Sequence, residues 1–194
     1  MNETRSSLLS RVRDFGDEAG WDEFYKLYRP LLIRYARRRG LGTQDAEEIA
    51  HACIEVVVSR IQDFQKQKSF RGWLHRIVDN KVKQHLEGQR RQRLVTDPAA
   101  LDDVQDAGPS PAELWERHWN RTHLLYCLAS LRGELADHTL AAFERYVLDE
   151  VPVKKIAEDL ALTPNQIYVA KNRVMKRLRE RFEDLIDGMY GVIQ

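Results

Sequence analysis

The chain has 194 residues, 43% of them apolar and 31% charged, with a net charge of +1. That length supports one large domain or two small ones with buried cores. No stretch approaches the ~20 continuous apolar residues of a membrane span, and the opening MNETRSSLLSRVRD lacks the apolar centre of a signal peptide. A soluble, cytoplasmic chain with no membrane partner is therefore expected. Cys53 and Cys127 fall at apolar positions without CxxC spacing and read as buried thiols. His118 and His123 are poorly spaced to ligate a metal from one helix face. No P-loop, metal motif or nucleophile–base pair is evident, so neither an enzyme nor a bound cofactor is expected.

Helical periodicity dominates the chain and no run alternates like a strand, which predicts an all-α fold. Trp21, Phe24, Leu27, Tyr28, Leu31, Leu32 and Tyr35 mark one face of a first helix, ending near Gly40 and Gly42. A second helix starts around Asp45, with Glu48 placed to complete a capping box. Its apolar face runs Ile49, Ala52, Cys53, Val56, Val57 and Ile61. A third helix carries Phe70, Trp73, Leu74, Ile77, Val78, Val82 and Leu86.

Residues 94–113, LVTDPAALDDVQDAGPSPAE, hold three prolines, the carboxylates of Asp97, Asp102, Asp103, Asp106 and Glu113, and no basic residue. That composition is an acidic, flexible linker. It divides the chain into two small helical domains, 1–93 and 114–194. In the second, one helix centres on Leu124, Leu125, Leu128 and Leu131, and another bears Leu140, Phe143, Tyr146 and Val147. After Pro152, Val153, Ile156, Ala157 and Leu160 form the i, i+3, i+4, i+7 face of a short helix.

A tight Ala161-Leu162-Thr163 connection leads into LTPNQIYVAKNR. Thr163 suits an N-cap and Pro164 the first helical position. Ile167, Ala170, Val174, Leu178, Phe182 and Leu185 form the buried stripe of the last helix. Asn165, Gln166, Tyr168, Lys171, Asn172, Arg173, Lys176 and Arg177 are left for other faces. A short helix, a tight turn and a longer basic helix make a helix-turn-helix pattern. Such a helix meets base edges with its first turns, where amides read adenine and Arg reads guanine. Lys and Arg further along neutralise phosphates. A solvated surface helix can also be basic, but the short preceding helix and capped turn favour the DNA reading.

A second basic stretch, residues 69–93, carries Arg71, Arg76, Lys81, Lys83, Arg90, Arg91 and Arg93 against only Asp79 and Glu87. Phe64, Phe70 and Trp73 flank its head, next to the polar loop QKQKS. Aromatic rings beside a positive groove suit single-stranded DNA, and a polar loop could hold an extruded base. Phe70, Trp73 and Ile77 also share a helical face, so core packing is the simpler role for these rings.

The stretches DAEEIAHACIEVVVSRIQDF, SFRGWLHRIVDNKVKQHLEGQRR and VPVKKIAEDLALTPNQIYVAKNRVMKRLRERF occur in this order, separated by the acidic linker. Together they resemble the bacterial RNA polymerase sigma factors of the extracytoplasmic-function group, over about residues 21–92 and 120–185. The resemblance implies a sigma-2-like domain at 1–93, a linker at 94–113 and a sigma-4-like helix-turn-helix domain at 114–194. It implies bacterial core RNA polymerase and promoter DNA as partners. Asp45, Glu48 and Glu55 would meet the core polymerase. Phe64, Lys66, Lys68, Phe70, Trp73, Arg76, Asn80, Lys83, Gln84, Arg90 and Arg91 would serve the melted −10 element. Thr163, Asn165, Gln166, Tyr168, Lys171, Asn172, Arg173 and Lys176 would serve the duplex −35 element. Many members of the group are held by an anti-sigma factor, but no residue here points to one.

One departure bears on core binding. Where the family has Gln-Glu and then an apolar pair, this chain has His51-Ala52-Cys53-Ile54. Two other readings compete. One is a helix-turn-helix regulator that binds duplex DNA but not core polymerase. The other is a protein-binding helical scaffold with negligible DNA affinity.

Overall fold

The computed structural model describes residues 8–64, 69–96 and 109–186, with side chains through Arg181. The expected fold class holds: the described elements are helices, with no strand beyond a lone bridge between Arg132 and Leu135. They are α1 (Leu8–Arg11), α2 (Glu18–Arg38), α3 (Thr43–Arg60), α4 (Phe70–Thr96), α5 (Pro111–Ser130), α6 (Asp137–Phe143), α7 (Val153–Leu160) and α8 (Pro164–Ile186). Contacts divide the chain into two units, one ending at Thr122 and the other spanning His123–Ile186.

In the first unit, α2 is built by its apolar stripe. Phe24, Leu27, Tyr28, Leu31, Leu32 and Tyr35 are all buried, as their spacing predicts. Asp17 caps it, accepting from the Gly20 N–H at 2.7 Å, and Arg11 reaches both Asp17 and Glu23 from α1. At its other end Gly40 has φ +94°. The Leu41 and Gly40 N–H groups turn back to the Ala36 and Arg37 carbonyls, closing the helix as the two glycines suggested.

α3 starts earlier than expected, at Thr43, and its N-cap Gly42 makes no side-chain hydrogen bond. The predicted capping box is therefore absent. Asp45 sits inside the first turn and faces α4 instead, 3.3 Å from His85 Nε2 and 3.2 Å from Gln89 Nε2.

α4 opens with Ser69 accepting from the Gly72 N–H at 3.2 Å. Phe70, Leu74, Val78 and Val82, each one turn beyond the last, are its buried row. The Phe70 ring meets Phe24, Tyr28, Phe64, Trp73 and Trp119 at centroid separations of 5.6–6.4 Å. Lower on α4, Asp79 accepts from Tyr35 Oη at 3.0 Å, from Arg39, and from Lys83 Nζ at 2.7 Å. Burial pushes the Tyr35 hydroxyl up to about 12. Burial also raises Asp79, but the hydrogen bonds from Lys83, Arg39 and Tyr35 outweigh it and hold the carboxyl below its usual range.

Both ends of the span 94–113, expected as a linker, are helical. α4 runs on to Thr96 and α5 begins at Pro111, while residues 97–108 lie outside the described residues. Ser110 and Glu113 form a reciprocal capping box, N–H to carboxylate at 2.8 Å and N–H to hydroxyl at 3.3 Å. The first turns of α5 then bury Trp115 and Trp119, each 1% exposed, within the first unit. Trp115 stacks on His75 at 5.2 Å and Trp119 lies against Tyr28 at 5.7 Å. The division thus falls inside a helix, between Thr122 and His123.

In the second unit, Ala142, Ile156, Ile167 and Ala170 form a core, with Tyr146, Val151, Ala157, Leu160 and Leu162 packed around it. A π-helical turn, Glu144–Leu148, follows α6. Between α7 and α8 the chain turns through Ala161 at φ 51°, ψ 42°, with the Leu162 N–H returning to Ala157 O at 3.0 Å.

Two predictions follow from this packing. Left-handed backbone costs a non-glycine residue about 1–2 kcal/mol, so Ala161→Gly should leave the protein equally stable or up to about 1 kcal/mol more stable in urea unfolding, after the glycine's own entropy cost. Asp79→Asn should destabilise by about 2 kcal/mol near neutrality, since it weakens charge-assisted hydrogen bonds. Because the native carboxyl is lowered, its contribution is present above the unfolded-state value near ~3.9 and is lost below it. The gap between the two proteins should therefore close as the unfolding series is taken below about pH 4. A gap that persists there would count against the network.

Candidate nucleic-acid interface

The phase of α4 decides which of its side chains face outward. With Phe70, Leu74, Val78 and Val82 buried, Arg76, Asn80, Lys83 and Gln84 lie exposed on another row, with Arg90 and Arg91 exposed further along. The structure therefore brings these predicted −10 residues to one helix. Lys83 is tied to Asp79, which leaves Arg76 and Asn80 as its more available polar heads.

The aromatic candidates fare differently. Phe70 is fully buried and Phe64 is 6% exposed, so neither offers a ring face to a base. Of the two roles the sequence offered, core packing is the one these two rings take. Their rings instead join the core, Phe64 against Trp73 at 5.1 Å and against Phe70 at 5.7 Å. Arg13 also donates to the Phe64 carbonyl, anchoring this point of the chain. Trp73 is half-buried and keeps a partly open ring. Lys66 and Lys68 lie outside the described residues.

Of the predicted core-docking carboxylates, Glu48 and Glu55 are exposed on α3. Glu48 accepts from Gln44 at 3.2 Å. Asp45 faces His85 and Gln89, as above. His51 is exposed and meets the Tyr25 ring edge-on at 6.2 Å.

In the second unit, α7, the Ala161 turn and α8 realise the helix-turn-helix. Thr163 caps α8 as expected, but the cap is reciprocal. Gln166 Oε1 accepts from the Thr163 N–H at 2.7 Å and from its hydroxyl at 3.0 Å, and the Gln166 N–H donates to Thr163 Oγ1 at 3.3 Å. Half of the Gln166 amide is thereby committed to the turn, so it cannot pair with adenine through both its oxygen and its nitrogen in this conformation. T-x-x-Q before an apolar run is a legible signal of such a box, and the sequence reading passed over it.

Asn165, Asn172, Arg173 and Lys176 are exposed on α8. Tyr168 is exposed and meets Tyr146 edge-on at 5.7 Å. Lys171 is half-buried, its Nζ 5.6 Å from the Tyr146 ring, so it flanks the packed face. One exposed side chain of this face was not among the predicted residues: Val169, 54% exposed, lies one turn from Asn165 and one from Arg173. With Leu162, Gln166 and Arg173 it lines a groove of about 150 Å³. An exposed apolar side chain in such a place is of a kind that can meet the methyl of thymine. Its apolar character hid it among the core positions of the sequence.

Cys53 and Cys127 are buried, and burial pushes both thiols up to about 12. Neither is a nucleophile near neutrality. Among the described residues no group of His, Cys, Asp and Glu could hold a metal ion, and no helix is long and apolar enough to cross a membrane.

Comparison with known proteins bears on the first unit most directly. Residues 24–92 match the Sigma-70 region 2 family. That stretch runs from Phe24 of α2 through α3 to Gln92 of α4, and so contains the outward row of α4. The chain is similar to the ECF RNA polymerase sigma factor SigE of Mycolicibacterium smegmatis, 29% identical over 103 residues, which cover 52% of this chain and 40% of SigE. It is also similar to the ECF RNA polymerase sigma factor RpoE of Cereibacter sphaeroides, 23% identical over 175 residues, which cover 90% of this chain and 92% of RpoE. A region 2 match, a capped helix-turn-helix after it, and likeness to RpoE along most of its length agree: the chain is similar to the sigma-70 family, and to its extracytoplasmic-function members in particular.

Proposed function

We propose that the protein is an RNA polymerase sigma factor that gives a bacterial core polymerase its promoter specificity in the cytoplasm. The observation that carries this reading is the outward row of α4, with Arg76, Asn80 and Gln84 exposed within the stretch that matches region 2. In this reading residues 1–93 form the sigma-2-like part and 114–194 the sigma-4-like part, with the first turns of α5 completing the core of the former. Arg76, Asn80, Gln84, Arg90 and Arg91 meet the −10 element and its melted strand. Of the rings predicted for the −10 element, Phe64, Phe70 and Trp73, only the half-buried Trp73 can border an unstacked base.

On the −35 element, Asn165, Val169, Asn172 and Arg173 face base edges while Lys176 holds phosphate. Thr163 and Gln166 set the angle at which α8 enters the groove. The factor supplies no chemistry. Contacts to extruded bases offset unstacking, which costs a few kcal/mol per base, and the polymerase does the rest. Two modest readers on one chain gain from effective concentration once both engage.

A regulator that binds duplex DNA without core polymerase is favoured by one observation. Asp45 faces α4, and His51-Ala52 stands where the family carries an acidic residue, leaving Glu48 and Glu55 for docking. Co-purification with bacterial core polymerase, followed by run-off transcription from a promoter library, separates the two. Promoter-selective transcripts establish the sigma factor. Salt-sensitive duplex binding without core binding establishes the regulator.

Three substitutions divide the labour. Arg173→Ala should weaken duplex −35 binding by ~1–3 kcal/mol and relax its base preference. Asn80→Ala should leave duplex binding intact and reduce open-complex formation, read by permanganate reactivity of the melted thymines. Gln166→Ala should cost ~0.5–2 kcal/mol of stability through the lost cap and alter base preference less than Arg173→Ala does. Equal loss of duplex binding in all three would contradict this division.

A further inference from the structure

Four arginines of the first unit have carboxylate partners: Arg11 reaches Asp17 and Glu23, Arg29 lies 3.7 Å from Glu47, Arg39 reaches Asp79, and Arg71 reaches Glu116. A second group does not. Arg34 and Arg38, one turn apart on α2, gather with His118 and Arg121 of α5, and among the described residues no carboxylate pairs with any of them. Arg34 Nη2 donates to the Thr122 hydroxyl at 2.8 Å, which fixes its guanidinium beside α5.

Burial and the neighbouring guanidinium groups act on Arg34 and His118 in the same direction. Burial lowers Arg34, and Arg121 lowers it further. Burial likewise lowers His118, and Arg34, Arg38 and Arg121 all push the same way. Like charges held together this way cost stability, and a counter-anion would relieve that cost.

We propose that Arg34, Arg38, His118 and Arg121 form a phosphate-binding surface for the backbone of DNA, separate from the two helices that read promoter elements. The surface offers Arg and His and no Lys, and the planar guanidinium fork suits phosphate oxygens. The exposed large apolar side chains of this unit, Phe15, Tyr25, Val58 and Val95, come from other positions, and none belongs to the cluster. A protein-docking patch carries an apolar centre; this one gathers three guanidinium groups and an imidazole, which favours a polyanion. In the sigma factor proposed above, such a surface holds promoter DNA without reading it, so it adds affinity and salt dependence but no sequence preference. That last role rests on the proposed function; the phosphate surface itself does not.

The test compares the full chain with the double variant Arg38→Gln/Arg121→Gln, which spares the Arg34–Thr122 hydrogen bond. The probe is a fluorescein-labelled duplex of mixed sequence, titrated over a salt series. A selected promoter with core polymerase is the second probe. The variant should bind the mixed duplex about tenfold more weakly at low salt, with the slope of log affinity against log salt shallower by ~2. Its urea midpoint should stay or rise, because repulsion has been removed. An unchanged slope and affinity overturn the proposal. So does a loss confined to core polymerase affinity, which would make the surface a protein contact. If the salt-slope change appears but no promoter is ever selected, the surface stands and the sigma-factor reading falls.

Discussion

The ring of Phe70 sits where α2, α3's exit, α4 and α5 converge. Five aromatic neighbours surround it. Because Phe70 is the first residue of α4, locking its side chain locks the rotational phase of the whole helix. Every fourth residue then follows it into the core, and the polar row is forced outward. The outward polar surface of α4 is in this sense a by-product of one packed ring. It also follows that the rings at the head of this helix cannot be both the anchor of its phase and loose platforms for bases.

Charge is organised on the same principle of separation. A net charge of +1 hides a chain in which some cations are neutralised locally and others are left bare. Asp79 gathers Tyr35, Arg39 and Lys83 into one buried-edge network and binds α2 to α4. Arg34, Arg38 and Arg121, only a turn away in sequence or across one helix contact, have no such partner. The difference lies in position. Asp79 is on the inner flank of α4, and no described acidic residue of α2 or α5 occupies the equivalent place between Arg38 and Arg121.

Much of this was legible because periodicity is local. The stripes of α2, α4, α7 and the start of α8 follow from residue spacing alone, as do Thr163 and Pro164 at the head of α8. What was not legible needed knowledge of what lies across the packing interface. Trp115 and Trp119 follow a Pro- and Asp-rich stretch, and linker composition on one side drew attention from a capping box and an i, i+4 pair on the other. Asp45 looks like a cap until His85 and Gln89 are placed beside it. Gln166 looks like a base reader until its amide is seen closing on Thr163. In each case one side chain has two chemically adequate uses, and only its neighbours choose between them. The departure at His51-Ala52 was readable from sequence, but its neighbour Tyr25 was not.

Each unit contains one cysteine, and both thiols are sealed within apolar packing at the protein's ordinary pH. For spectroscopy this makes the natural chain a silent background. A maleimide dye or nitroxide would find little to react with until a cysteine is introduced at an open position such as that of Val169 or Val58. One such site in each unit would allow distances between the two to be followed in solution, with no native cysteine removed first.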